Sequence, residues 1–178
     1  RHCETDWNVA NRMQGHTDII LNDHGRQQAL DLCDDLEPLG IARIYTSDLK
    51  RAFETAQIIS LRLGTPVTTD RRLRECAFGT LEGLTFPEVV STYPHPHIFP
   101  FNTKYYTDEH QPYDFTPYGG ESKQDVITRH IDFMNDMKKQ YPAETVLVIG
   151  HGTGLNTLLA TLGQQPNLKR RELRFLDI

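Results

Sequence analysis

Thr145-Val146-Leu147-Val148-Ile149-Gly150-His151-Gly152 is the stretch whose reading decides the fold. Its first half is an unbroken aliphatic, β-branched run, the composition of a central strand in a parallel sheet buried on both faces. It stops at a glycine–histidine–glycine turn. Gly154 to Leu162 then has the spacing of a helix, so the order is strand, turn, helix. In open α/β sheets that turn, at the carboxyl end of the strand, is where ligands bind.

Working outward, the same alternation recurs. Asn22 or Asp23 can cap a helix carrying Ala29, Leu30, Leu32, Cys33 and Leu36, with Pro38 and Gly40 to end it. Ile44-Tyr45-Thr46 reads as a short buried strand. Ser47 is then placed to cap a helix from Asp48 to about Leu63, with Ala52, Ala56, Ile59 and Leu63 on one face and Gly64 at its end. A long helix is expected from about Glu121 to Tyr141, with Val126, Ile127, Ile131, Met134 and Met137 at helical spacing. Leu173 to Ile178 reads as a last strand. Strands and helices in this order predict an α/β fold: a three-layer sandwich, its mostly parallel central sheet covered by helices on both faces. Between Tyr93 and Tyr118 the periodicity fails among prolines, aromatics and His95, His97 and His110. A loop of that length in a compact domain is usually functional, and its aromatic content suggests a lid. The chain, 1–178, therefore reads as one domain with a lid-like insertion at about 93–118.

Composition excludes several classes of function. The 178 residues are 38% hydrophobic and 24% charged, with a formal charge of −5. That balance suits a globular domain and argues against a general nucleic-acid binder, because phosphate backbones select basic surfaces. No apolar run approaches the ~18 residues of a membrane span. Cys3, Cys33 and Cys76 are odd in number and have no CxxC spacing, poor material for a disulfide framework or a zinc site. A reducing cytoplasm is the expected compartment.

Four segments carry chemistry. Arg1-His2 opens the chain. Ser47 to Arg51 opens a helix, where free backbone N–H groups favour an anion. Glu75 precedes the turn Phe78-Gly79-Thr80-Leu81-Glu82-Gly83. Gly150-His151-Gly152 follows the best strand. Each alone is weak, since a single histidine is more often structural than catalytic. His16, His24 and His130 read as surface residues. His95, His97 and His110 lack a carboxylate or cysteine at convincing metal-ligand spacing.

Together, and in this order, these segments resemble the histidine phosphatase superfamily, the phosphoglycerate mutase-like fold. Its signature is Arg-His-Gly, then Ser-x-Leu-x-Arg-Ala-x-x-Thr-Ala, a catalytic acid before Phe-Gly-x-x-Glu-Gly, and a late Gly-His-Gly. The counterparts here are Arg1-His2-Cys3, Ser47 to Ala56, Glu75 before Phe78 to Gly83, and Gly150-His151-Gly152. Trp7-Asn8, Gln14-Gly15 to Asp18, and Gly119-Gly120-Glu121-Ser122 are similar to the family's connecting motifs.

The resemblance implies a chemistry that these residue types explain. A phosphate monoester is anionic, so a catalyst must gather positive charge around its oxygens. Arg1, Arg51 and His151 would do so, with Asn8 as a neutral donor and Gly152 allowing close approach of the backbone. His2 would be the nucleophile and Glu75 the general acid and then base. Glu82 is expected to support its own turn. Lys104, in the expected lid, is a candidate contact for an acidic substrate. No metal and no cofactor is implied. The partner would be a small phosphorylated metabolite, with no nucleic acid and no membrane, and a homodimer is allowed for. The segment from Cys76 to Thr85 is closer to the smaller phosphatases of the family than to its mutases. Mutase-type phosphoryl transfer and a weakly active phospholigand-binding domain are the alternatives.

Two departures stand out. Cys3 occupies the usual glycine position. The thiol is either tolerated, or a point of oxidative sensitivity, or the mark of a weakened site. In this family a buried strand leads directly into Arg-His-Gly, so a strand is also expected ahead of Arg1.

Overall fold

Strands β1 (Arg43–Thr46), β2 (Val67–Thr69) and β3 (Val146–Ile149) form a parallel sheet in the order β2-β1-β3 in the computed structural model, which describes residues 1–93, 113–165, 168 and 176. Ile44 of β1 lies opposite Val67 on one side and Leu147 on the other. Alternation along the strands sends side chains to two different cores. Ile44, Leu147 and Ile149 face α2 (Asp23–Leu36) and α3 (Lys50–Leu63), packing with Leu32, Leu36, Ala52, Ala56 and Ile59. Tyr45, Val146 and Val148 face the other way, against Phe133 and Met137 of α5 (Lys123–Gln140). This is the three-layer arrangement expected from the sequence. Phe133 is fully buried, and its truncation to alanine costs about 3–5 kcal/mol.

Local chemistry sets the helix ends. Asn22 caps α2, its side chain accepting from Gly25 N at 2.7 Å. A 3-10 turn, Glu37–Leu39, then closes it, and Gly40 takes the left-handed conformation. Ser122 and Asp125 form a capping box at the start of α5. The α3 start corrects the expectation. Ser47 accepts from Leu49 N at 3.2 Å instead of capping a helix at Asp48, and Leu49 stays extended. Asp48 is held outside the helix by Arg74, with contacts of 2.7 and 2.6 Å. Starting at Lys50 places Arg51 in the first helical turn. The stripe of α5 is also displaced from the expected one: Val126, His130, Phe133 and Met137 are buried, whereas Ile127, Ile131 and Met134 are half-buried.

The last described helix, α6 (Gly152–Thr161), starts at Gly152 rather than Gly154 and is buried along most of its length. Two short helices, α1 (Asp6–Val9) and α4 (Phe86–Thr92), had no apolar stripe to announce them. Each rests on a capping box, Thr5 with Asn8 and Thr85 with Glu88. A further small core is formed by Cys76, Phe78, Leu81, Val89, Phe115 and Val126.

Among the described residues β3 pairs with one strand, β1. Val146, Leu147 and Val148 are half-buried. A groove of about 700 Å³ runs beside it, lined among others by Leu32, Leu36, Ile59, Leu147, Leu155 and Leu158. The expected lid lies mostly outside the described residues, and so does the expected strand at 173–178 apart from Leu176.

Candidate active site

β1, β2 and β3 each deliver one candidate site residue from the carboxyl end. β1 leads through Ser47 into α3 and Arg51. β2 leads through Asp70, which caps the turn Arg71–Leu73, to Glu75. β3 leads to His151, the N-cap residue of α6. His2 joins them because its N–H donates to Gly150 O at 2.9 Å, which sets the chain start alongside the end of β3. The His2 and His151 rings lie 5.1 Å apart between centroids.

The state of His2 follows from two contacts with the fold. Its Nδ1 lies 2.7 Å from Cys3 O. A carbonyl only accepts, so Nδ1 carries the proton and Nε2 keeps its lone pair. Burial, then the neighbouring charges of Arg51 and Arg1, hold the imidazole well below its ordinary proton affinity. His2 is therefore neutral, with a nucleophilic nitrogen available. His151 is fully buried and held neutral by burial first, then Arg51, His2 and Arg1.

Arg51 is a fully buried cation. Its two terminal nitrogens donate to Thr17 O at 2.9 Å and Gly15 O at 2.7 Å. Burial lowers its pKa to about 10, opposed by the charges of Glu75, Asp18 and Glu82, so it stays protonated at neutral pH. Arg51 Nε and both ring nitrogens of His151 are buried with no partner among the described residues. A buried polar group left unpaired costs about 1–3 kcal/mol. Such groups gathered beside an imidazole suit an anion rich in acceptor oxygens. Arg1 comes close on the far side, where a side chain on Gly152 would meet its guanidinium carbon at 3.0 Å. Glycine at 152 is what lets that cation approach.

Glu75 is 8% exposed. Its Oε1 accepts from Cys76 N at 3.0 Å and Gly154 N at 3.1 Å, and its Oε2 from Thr153 N at 3.2 Å. The first amides of α6 thus hold this carboxylate next to the His151 turn. Arg129 fixes the backbone behind it, donating to Arg72 O at 2.7 Å, Arg74 O at 2.6 Å and Glu75 O at 2.9 Å while paired with Glu121.

The arrangement is a neutral imidazole with a lone pair on Nε2, the buried Arg51 and half-buried Arg1 cations near it, and a carboxylate within the same strand-end cluster. A sequence model of the histidine phosphatase superfamily (branch 1) matches residues 1–177. The chain belongs to this superfamily. Among its relatives, phosphoglycerate mutase-like protein 4 of Arabidopsis thaliana is 38% identical over 160 residues, covering 89% of this chain and 66% of that protein. Among solved structures of the superfamily fold, a mycobacterial glucosyl-3-phosphoglycerate phosphatase in complex with VO3 is similar at a TM-score of 0.78 and 31% identity. The match covers 91% of this chain and 77% of that one. A phosphoserine phosphatase mutant from Entamoeba histolytica, in complex with phosphoserine, matches at a TM-score of 0.74 and 28% identity. It covers 94% of this chain and 79% of that one.

Of the residues singled out as the histidine phosphatase site, His2, Arg1, Arg51, Glu75, His151 and Gly152 come together. Asn8 uses its Oδ1 to cap its own helix, accepting from Thr5 N at 3.1 Å, so what it can offer a ligand is its amide Nδ2. Lys104, His95, His97 and His110 lie outside the described residues. One histidine expected at the surface is not there. His130 is fully buried, its proton affinity lowered to about 4 chiefly by burial. A side chain on Gly154 would meet its ring at 2.7 Å, so the α5–α6 contact requires glycine there. His16 is half-buried, and its Nε2 donates to Glu75 O at 2.8 Å. His24 is exposed as expected. The loop Gln14 to Asp18, Arg129 and the α6 amides were not foreseen as parts of the site. Their contributions come from backbone groups or contacts distant in sequence, which leave no local pattern. Among the described residues no group of three or more His, Cys, Asp or Glu is placed to hold a metal, and no helix is long and apolar enough to cross a membrane.

Proposed function

We propose that this chain is a phosphatase that hydrolyses small-molecule phosphate monoesters through a phosphohistidine on His2. One observation carries the reading. His2 is neutral with Nδ1 hydrogen-bonded to a carbonyl, beside Arg51 Nε and the two ring nitrogens of His151, which are buried with no partner among the described residues.

The proposed steps are these. The ester phosphate is held by Arg1, Arg51 and His151, with Asn8 and the Gly152 turn alongside. Its negative charge favours protonation of His151, which then donates through both nitrogens. His2 Nε2 forms a bond to phosphorus as the bond to the leaving oxygen breaks. Glu75 gives that oxygen its proton. The Cys3 carbonyl, accepting from Nδ1, stabilises the positive charge that develops on the ring. Water then attacks phosphorus, Glu75 takes its proton, and the P–N bond electrons return to Nε2, releasing phosphate. Arginine and histidine supply the positive charge throughout.

The names of the relatives bear on the substrate. Two structural neighbours are named as phosphatases of a phosphoglycerate derivative and of phosphoserine, both small phosphate esters that also carry a carboxylate. Substrates of that class are proposed here, and the free, buried cysteines suit a reducing cytoplasm. A mutase reading is favoured by the name of the Arabidopsis relative. Phosphate release from p-nitrophenyl phosphate, phosphoserine and 3-phosphoglycerate, each against His2→Ala, tests the proposal. Release from wild type alone supports it. Isomerisation of 3-phosphoglycerate without release selects the mutase, and binding without either reaction selects a ligand-binding domain.

A further inference from the structure

Arg51 is a buried cation aimed by neutral carbonyl groups. Its terminal nitrogens are gripped by Gly15 O and Thr17 O, which belong to a turn outside any helix or strand. Such a turn can orient a guanidinium only if something fixes the turn. The same segment turns its amides the other way, onto one carboxylate. His16 N donates to Glu82 Oε1 at 2.9 Å, and Thr17 N and Thr17 Oγ1 donate to Glu82 Oε2 at 2.8 and 2.6 Å. Glu82 Oε1 also accepts from Phe78 N at 3.1 Å, which ties it to its own turn. Gly15 adopts φ +51°, and a side chain there would run into the Glu82 carboxylate. Glycine is needed both for the backbone and for the contact.

We infer that Glu82 is a positioning residue for the phosphoryl site: it holds the Gly15–Thr17 turn between its carboxylate and the Arg51 guanidinium, and so sets the direction of Arg51. This rests on the phosphatase reading above. The same turn reaches the acid, because His16 Nε2 donates to Glu75 O. One carboxylate therefore registers the cation and the acid to each other. Supporting only its own turn, the role expected from the sequence, would need the Phe78 contact alone. The other three bonds go to a segment more than sixty residues away.

A double-mutant cycle separates positioning from plain stabilisation. Glu82→Gln keeps size and one acceptor oxygen but sets an NH2 group against the Thr17 donors. Arg51→Lys keeps a cation but lacks the fork that grips two carbonyls. In wild type, Glu82→Gln is expected to lower kcat/KM for p-nitrophenyl phosphate about tenfold or more, as loss of bonds to a charged group implies. In Arg51→Lys the same change should act within about twofold, because there is no longer a fork to aim. An equal fold-loss in both backgrounds, or a loss under about twofold in wild type, overturns the inference. All variants are compared below their melting temperatures. If Glu82→Gln does not fold, Thr17→Val, which removes only the 2.6 Å hydroxyl bond, takes its place under the same criterion. Absence of turnover in wild type would count against the phosphatase reading instead. The cycle is then run on the affinity for inorganic phosphate, where the same two patterns decide.

Discussion

Replacing Glu75 by glutamine separates the two halves of the reaction. The glutamine keeps one oxygen, which can still accept from Cys76 N and Gly154 N, but its NH2 group would face the Thr153 N–H. Setting two donors against each other in a buried place costs about 1–3 kcal/mol. At about 2–4 °C per kcal/mol for a chain of this size, the variant melts lower but stays folded at assay temperature. The chemical loss is larger. Without a proton for the leaving oxygen, hydrolysis of an alkyl ester such as phosphoserine should fall about a hundred- to ten-thousandfold. Nitrophenolate leaves without protonation, so the first step with p-nitrophenyl phosphate survives. The second step still lacks its base. Rapid-mixing measurements should therefore show a burst of nitrophenolate close to one per enzyme, followed by slow turnover and accumulated phosphohistidine. If Glu75→Gln hydrolyses phosphoserine within about threefold of wild type, Glu75 is not the acid and the assignment fails.

Stability should depend on pH through the buried histidines. His2, His151 and His130 are held neutral in the fold, and each takes a proton on unfolding below its ordinary value of about 6.5. Their contribution is fully present above that value and is lost as the pH falls toward the folded-state values, which for His130 is about 4. With three protons taken up, the unfolding free energy falls by up to about 4 kcal/mol per pH unit in that window. Urea midpoints at about pH 7.5 and pH 5.5 check this, and a midpoint that holds or rises on acidification contradicts it. Cys3→Gly should keep turnover and lose stability by about 1–2 kcal/mol. The Cys3 side chain is buried in the core with Leu21 and Ala29, and it meets His2 through its backbone carbonyl. The same burial should protect the folded thiol from aryl disulfide reagents. A tenfold or greater loss of kcat/KM in Cys3→Gly would show that the thiol shapes the site.

The architecture was legible where one strand or helix carried its own pattern. The run from Thr145 to Ile149 announced β3, and the spacing of Ala52, Ala56 and Ile59 announced α3. β2 was missed because Val67-Thr68-Thr69 is short and largely exposed, with no apolar run to mark it. The start of α3 was misplaced because Asp48 answers to Arg74, a partner distant in sequence. His130 read as a surface residue because its burial depends on Gly154 packing from another helix. In the site, side-chain identities and their order were readable from the motifs. The holding groups were not: the Gly15 and Thr17 carbonyls, the Thr153 and Gly154 amides and the Arg129 contacts exist only once the chain is folded. The Cys3 side chain packs into the core, a direction that sequence does not specify.

The central claim is that the phosphoryl group passes through Nε2 of His2. Wild type and Glu75→Gln mixed with p-nitrophenyl phosphate, quenched in alkaline denaturant to preserve phosphohistidine, and mapped by peptide mass spectrometry test it directly. The account predicts phosphoryl on His2, more of it in Glu75→Gln, and neither label nor turnover in His2→Ala. Phosphoryl on any other residue, or hydrolysis that persists in a folded His2→Ala, would contradict it.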